Sequence, residues 1–246
     1  MTSCGPRPRS WLVLLCTLHG CGRVSFDAVP DATHGDANVD GAVDGMVDAS
    51  GLVTKTFGER TGANFTGVTT DTTLNAVLPT NNYGGDASLT VDDGASSVIR
   101  FDLSSIPTGA TLVSASLTIW TNPASSTPDT VEVFELIEAW AEGTGTETIV
   151  STEPATYNER LPGTSWSGPG ASNGSRGVRI AAFTPLSQNS PYTSQLANVV
   201  VAKWIAQPST NYGMVFDLAG TNAVGLVSRN SVRATARPML TVAYIP

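Results

Sequence analysis

The chain has 246 residues, of which 41% are hydrophobic and 14% charged, and its formal net charge is −8 at pH 7. That balance excludes a collagen, a coiled coil and a wholly disordered chain, and a pI near 4.6 gives no electrostatic footprint for nucleic acid. All three Cys (Cys4, Cys16, Cys21) and both His (His19, His34) lie within the first 34 residues, so the rest of the chain has no thiol or imidazole for a nucleophile triad, a His- or Cys-based zinc site or a disulfide framework.

At the N-terminus, Arg7 and Arg9 precede the apolar run Trp11–Leu18, the charged-then-apolar order of a secretory signal peptide. The run is too short to span a bilayer. It ends in Leu18-His19-Gly20-Cys21, which resembles a bacterial lipobox with Cys21 as the lipidated residue. An ordinary signal peptide with an incidental Cys is the alternative, and the protein is then secreted. His19 departs from the small or β-branched residue usual at that position, and Gly22 lacks the acidic signature of inner-membrane retention, which favours the outer membrane. The expected segments are a signal peptide over 1–20 and, over 21–50, an acylated Cys followed by a spacer. Six Asp spaced mostly by Ala, Val and Gly (Asp27, Asp31, Asp36, Asp40, Asp44, Asp48) make that spacer self-repelling and too poor in apolar area to fold. Their spacing does not give the Asp-x-Asp-x-Asp-Gly order of a calcium loop.

Residues 51–246 read as one all-β domain. Thr and Ser supply 28 and 20 of its residues, and Gly and Pro are dispersed among them, a strand-and-turn composition. In Thr111–Thr121, Val113, Ala115, Leu117 and Ile119 share one face and Ser114, Ser116 and Thr118 the other, the period of a strand with one buried face. Comparable runs are Leu89–Val91, Val98–Leu103, Val131–Leu136, Val178–Phe183, Tyr212–Leu218, Ala223–Arg229 and Met239–Ile245. Eight or more short strands predict a jelly-roll-like antiparallel β-sandwich. Gln195–Ala206 is the exception: Leu196, Val199, Val200, Lys203 and Trp204 fall at helical spacing, with Ser194 as N-cap and Pro208 beyond the end, which predicts one short helix. Leu161–Gly177, rich in Pro, Gly and Ser, is expected to be an exposed loop.

The ordered motifs carry a family resemblance. Asp71-Thr72-Thr73-Leu74, Asn82-Tyr83-Gly84-Gly85, Ile99-Arg100-Phe101-Asp102-Leu103, Glu138-Ala139-Trp140-Ala141-Glu142-Gly143, Asn158-Glu159-Arg160, Asn211-Tyr212-Gly213 and Arg237-Pro238-Met239-Leu240 together resemble the DNRLRE domain family. That family is also called disaggregatase-related and overlaps carbohydrate-binding module family 96. The resemblance runs over roughly residues 68–245 and implies a β-sandwich. It departs from the family pattern in lacking the six-letter motif, in an insertion between Gly143 and Tyr157, and in Tyr157 standing where Trp is usual. The family's modules accompany lyases, hydrolases and surface proteins, and a sandwich fold alone does not dictate function.

Sugar recognition needs flat aromatic faces with a few amides, hydroxyls or guanidinium groups to fix orientation. Trp140 and Trp204 read as core and Trp120 as core or rim. Trp166, within the Gly/Ser/Pro-rich loop, is the Trp whose burial is hardest to justify from sequence, so Tyr157, Arg160 and Trp166 are the candidate carbohydrate-binding residues, since sandwich-edge loops are common binding places. A second arrangement is the set Arg229, Arg233 and Arg237 with Arg176 and Arg179: forked guanidinium groups suit uronate or sulfate, though solvated turn residues give the same pattern. Glu132, Glu135, Glu138, Glu142 and Glu147 form the densest acid cluster. Paired carboxylates would fit glycoside hydrolysis, but a charged strand edge explains them too. Asp71, Asp102 and Asp92-Asp93-Gly94 are conceivable calcium ligands, and a turn accounts for the last without metal.

The sequence thus predicts a lipid-anchored cell-surface protein, non-catalytic and free of cofactor or structural metal, that binds extracellular or cell-wall polysaccharide, acidic if the guanidinium groups engage it. A structural or adhesive envelope protein and a polysaccharide lyase or hydrolase are the alternatives.

Overall fold

Strands form where β-branched and apolar residues alternate between Gly- and Asn-rich turns. The computed structural model describes residues 46–47, 51–61, 65–123, 129–149 and 155–246. The signal peptide, Cys21 and all of the acidic spacer except Met46–Val47 lie outside them. All described residues belong to one compact unit, Ala42–Pro246.

The main strands are β1 (Val53–Gly58), β2 (Thr69–Asn75), β3 (Ser88–Val91), β4 (Ala95–Phe101), β5 (Thr111–Trp120), β6 (Thr130–Leu136), β7 (Arg176–Phe183), β8 (Pro191–Gln195), β9 (Met214–Ala219), β10 (Val224–Val227) and β11 (Met239–Ile245). The first sheet has the order β1-β11-β5-β8, and the second β7-β6-β9-β4-β2. Every neighbouring pair among these strands is antiparallel. Met46–Val47 and Phe65–Thr66 add two-residue ladders to β1, antiparallel and parallel respectively, so the ordered domain reaches back into the stretch expected to be spacer. β3 and β10 pair on their own, tied to the end of β5 by a bridge between Thr121 and Leu226. The chain passes repeatedly from one sheet to the other, as from β4 to β5 to β6, and the result is the expected all-β sandwich.

Alternation sets what lies between the sheets. Leu117, Ile119, Leu240 and Val242 of the first sheet meet Ile99, Val133 and Phe216 of the second in one cluster, nearly all fully buried. At about 25 cal/mol per Å2 of apolar surface removed from water, this is the main favourable contribution to folding. Val113 is exposed, 45%, because the ladder with β11 shifts register there: Ser114 pairs with Ala243 and Leu112 with Tyr244, so Leu112 packs on the core in its place.

The helix is shorter than its sequence pattern. Ser194 and Gln195 belong to β8, where Ser194 pairs with Leu117 and Gln195 with Ser116, and the Leu196 amide donates to the Ala115 carbonyl at 2.9 Å. Sheet pairing therefore holds these residues extended, and α1 spans Asn198–Ala206 with Ala197 at its N-cap and no side-chain cap. It buries Val200, Val201, Trp204 and Ile205 against the sandwich and leaves Val199 in solvent. Lys203 reaches back to pair with Glu135.

Both Asn-Tyr-Gly motifs are turn brackets. The Asn211 side chain donates to the Phe101 carbonyl at 2.9 Å and accepts from the Gly213 amide at 3.2 Å. Asn82, fully buried, likewise accepts from the Gly84 amide at 3.1 Å and donates to the Glu142 and Ala155 carbonyls. Gly213 has φ +88°, and a Cβ there would stand 2.2 Å from the Ile99 carbonyl oxygen. Gly213→Ala is accordingly expected to cost about 2–3 kcal/mol or more, read as a lowered midpoint in a urea melt followed by circular dichroism.

Candidate functional site: the covered face of the second sheet

In the second sheet the residues that alternate with the sandwich core are apolar as well. Leu74, Val98, Leu136 and Val215 point away from the first sheet and are all fully buried. An apolar sheet face must be covered, and here the cover is the chain from Trp140 to Ala171. Trp140, Ala155, Trp166 and Ala171 pack on the face, with Phe134, Tyr157 and Tyr212 beside them.

The segment expected as an exposed loop is therefore largely a lid on this second core. Glu159–Leu161 and Thr164–Ser165 form a small hairpin, and two single-turn 3-10 helices, Pro169–Ala171 and Asn173–Ser175, follow. Trp166 is 5% exposed, and its indole Nε1 donates to the Thr156 carbonyl at 2.9 Å. The buried carbonyl of Gly170 accepts from Ser96 Oγ, which fastens the lid to β4. Composition rich in Gly, Ser and Pro marks irregular backbone, not exposure.

The three candidate binding residues separate into different surroundings. Trp166 has no free ring face for stacking in this arrangement. Arg160 donates to the Ala139 carbonyl at 2.9 Å and lies 3.8 Å from Glu138. Glu138 in turn accepts from the Ser167 hydroxyl and amide at 2.6 and 3.1 Å. Against the opposing pull of burial, hydrogen bonds from Ser167 and Ser175 and the charge of Arg160 hold the Glu138 carboxyl below its usual range. Tyr157 is half-buried. Its ring lies on Gly170, where a Cβ would come within 2.4 Å of Cε2, and it lines a groove with Asp92, Asp93, Ser172, Arg176 and Asp217. An aromatic ring beside carboxylate acceptors and a guanidinium is a set of groups able to hold a hydroxyl-rich ligand.

The five Arg of the second arrangement do not form one groove. Arg176 pairs with Asp217 and lies over the Phe134 ring, Arg179 pairs with Glu132, and Arg233 lies over Trp120 while bonding to Asn189. Arg237 bonds to the Ser231 and Glu59 carbonyls. Arg229 makes a forked contact with Glu142 at 2.5 and 2.8 Å and reaches Glu59 at 3.2 Å. The acid cluster is dispersed in the same way: Glu132, Glu135, Glu138 and Glu142 are each matched to a different cation. Asp92-Asp93-Gly94 is the tight turn between β3 and β4, with the Gly94 amide donating to Asp92 at 2.7 Å. Among the described residues no three His, Cys, Asp or Glu side chains converge as a metal set.

Asp71 is the most perturbed of these acids. It accepts from the Arg229 amide at 2.7 Å and lies 3.1 Å from Ser228 Oγ, which is also 2.6 Å from the Asp86 carbonyl oxygen and has one proton for the two contacts. A protonated Asp71 donating to Ser228 satisfies both contacts at once. Burial pushes the Asp71 carboxyl up to about 7, Glu142 adds to the rise, and the Arg229 and Ser228 bonds oppose it.

Two predictions follow from burial. Trp166→Ala is expected to cost about 3–5 kcal/mol, visible as a lower denaturant midpoint; an unchanged midpoint would mean that the lid is not packed as described. The second concerns pH. Asp71 ordinarily releases its proton near 3.8 and in the fold near 7, so between those values the folded chain binds more protons than the unfolded one. Its contribution is fully present below the lower value and is lost as pH rises through the upper. Glu142, also raised by burial, slopes the same way. Urea midpoints measured from pH 4 to 7.5 should fall with rising pH through these groups, and Asp71→Asn should flatten the slope.

No curated protein matches the chain. Residues 64–161 match the family model of carbohydrate-binding module family 96, a stretch that includes β2 to β6, the Trp140 motif, Tyr157 and Arg160. Residues 64–161 of the chain therefore carry the signature of carbohydrate-binding module family 96.

Proposed function

We propose that this protein is a surface lipoprotein, anchored through Cys21 to the outer membrane, whose sandwich holds extracellular polysaccharide without cleaving it. The family match is the observation that carries the polysaccharide reading. Within the fold, the groove lined by Tyr157, Asp93, Arg176 and Asp217 is the place that best fits a glycan. There the Tyr157 ring supplies an apolar face for sugar C–H groups and Asp93 accepts from hydroxyls. Arg176 is already matched by Asp217 and Ala171, so it serves as a neutral, preorganised donor pair. Of the other two candidates, Arg160 acts by fastening the hairpin that follows Tyr157 to the Ala139 carbonyl, and Trp166 by packing in the same apolar cluster as the Tyr157 ring.

The acidic character of the glycan and the anchor at Cys21 are separate parts of the reading. The charge order Arg7, Arg9 and the Leu18-His19-Gly20-Cys21 string support the anchor.

Affinity electrophoresis of the full chain against neutral and acidic polysaccharides tests the binding. Tyr157→Ala should weaken retardation by about tenfold, the size of one lost aromatic stacking contact, measured well below the variant's melting temperature with its circular dichroism spectrum unchanged; retention of full retardation would remove Tyr157 from the site. Cys21→Ala should shift the protein from the membrane fraction to the soluble one, and persistence in the membrane fraction would exclude the lipid anchor.

A further inference from the structure

The described domain contains ten cations, and nine of them make a hydrogen bond or an ion pair: Lys55, Arg60, Arg160, Arg176, Arg179, Lys203, Arg229, Arg233 and Arg237. Arg100 is the exception among the described residues. Its guanidinium lies over the Trp140 ring, 5.8 Å from the centroid, and has no polar partner. A half-buried guanidinium left unmatched is costly, and its five N–H donors remain available.

The reason it is unmatched lies in the register. Arg100 stands between Ile99 and Phe101, both in the sandwich core, so it is forced onto the opposite face of β4, across from Thr70. On that face it opens into a cavity of about 270 Å3 lined by Val68, Thr70, Phe101, Asp102, Pro208 and Asn211. Thr70 Oγ1 has no hydrogen-bond partner either. Asp102 uses Oδ1 to accept from the Ser104 amide at 2.9 Å, which leaves its other oxygen for a ligand hydroxyl. Asn211, held by its bonds to Phe101 and Gly213, fixes the cavity wall.

The geometry points to a second ligand site here, for a sugar bearing an anionic substituent, either a carboxylate or a sulfate. The anion takes the forked face of Arg100, whose other face is occupied by Trp140, and Thr70 and Asp102 serve neighbouring hydroxyls. Arg suits this task because its planar donors match two anion oxygens at once. The site is distinct from the Tyr157 groove: that groove includes Ser96 and this one Arg100, four residues along the same strand and about 13 Å away at strand rise. Both open on the covered face of the second sheet, at opposite margins of the Trp140–Trp166 lid. One extended glycan can therefore engage both, with a neutral stretch on Tyr157 and an acidic unit on Arg100.

The test uses monosaccharides, so that it reads this site without requiring polysaccharide binding. Glucuronate, glucose 6-sulfate and glucose are titrated into the full chain by calorimetry, beside Arg100→Met, which keeps the apolar stem over Trp140, and Tyr157→Ala. At least one anionic sugar should bind about tenfold or more tighter than glucose, a preference set by a charge-assisted forked contact. Arg100→Met should abolish that preference at an unchanged melting temperature, and Tyr157→Ala should leave it intact. Preference for glucuronate alone or for the sulfate alone identifies the anion. Equal affinity for all three sugars, or a preference that survives Arg100→Met, overturns the proposal. A chain that binds no polysaccharide yet keeps an Arg100-dependent preference leaves this site standing and removes the Tyr157 reading; the reverse result removes this site only.

Discussion

The second sheet is apolar on both faces, and most of what distinguishes this molecule from a plain sandwich follows from that constraint. One face packs on the first sheet. The other has nothing to meet except the chain's own long connection between β6 and β7, which must fold back and bury two Trp to keep Leu74, Val98, Leu136 and Val215 from water. A connection under that obligation has to satisfy its own backbone polar groups while lying on an apolar floor. It does so with a short hairpin, two 3-10 turns and left-handed residues at Ala155, Gly170, Ala171 and Asn173. The ligand-sized hollows are the margins of that cover, where it fails to meet the sheet edge completely.

Charge is organised by the same layering. Residues on the margin of the covered face are polar, and they are matched pairwise across strands and connections: Arg176 with Asp217, Arg179 with Glu132, Arg229 with Glu142 and Glu59. Such matching neutralises the guanidinium groups that sequence spacing alone would group into one basic strip. Asp71 is the extreme case: burial, with a second acid beside it, pushes its carboxyl up to about 7, far above the ordinary Asp range. Its bonds to Arg229 and Ser228 join β2 to the segment after β10, two parts of the chain more than a hundred residues apart.

Strand existence and the sandwich were legible because period-two alternation reports burial directly, as in Ala115, Leu117 and Ile119. The strands β1, β2 and β8 were not, since Val53–Gly58, Thr69–Asn75 and Pro191–Gln195 are dominated by Thr, Ser and Lys and gain their order from pairing with apolar neighbours. The helix start failed for the same reason: pairing with β5 outweighed the capping preference of Ser194. Of the candidate site, Tyr157 was found because aromatic residues in loops are visible as such. The burial of Trp166 was hidden because nothing local signals that the strands beneath it are apolar on their second face; the string Val133-Phe134-Glu135-Leu136, apolar at both parities, was the available sign. Arg100 carried the clearest unread signal, a charged residue flanked by two core residues in a strand.

β11, the last strand in the chain, lies in the interior of the first sheet, between β1 and β5. Until Met239–Ile245 arrives, those two earlier strands have no partner along their facing edges, and the first sheet exists only as separated pieces. However the chain is delivered, its sandwich therefore cannot close until Met239–Ile245 is free to insert between Val53–Gly58 and Thr111–Trp120. Such late closure, set by contacts of long sequence separation, makes assembly of the first sheet a slow, late step of folding.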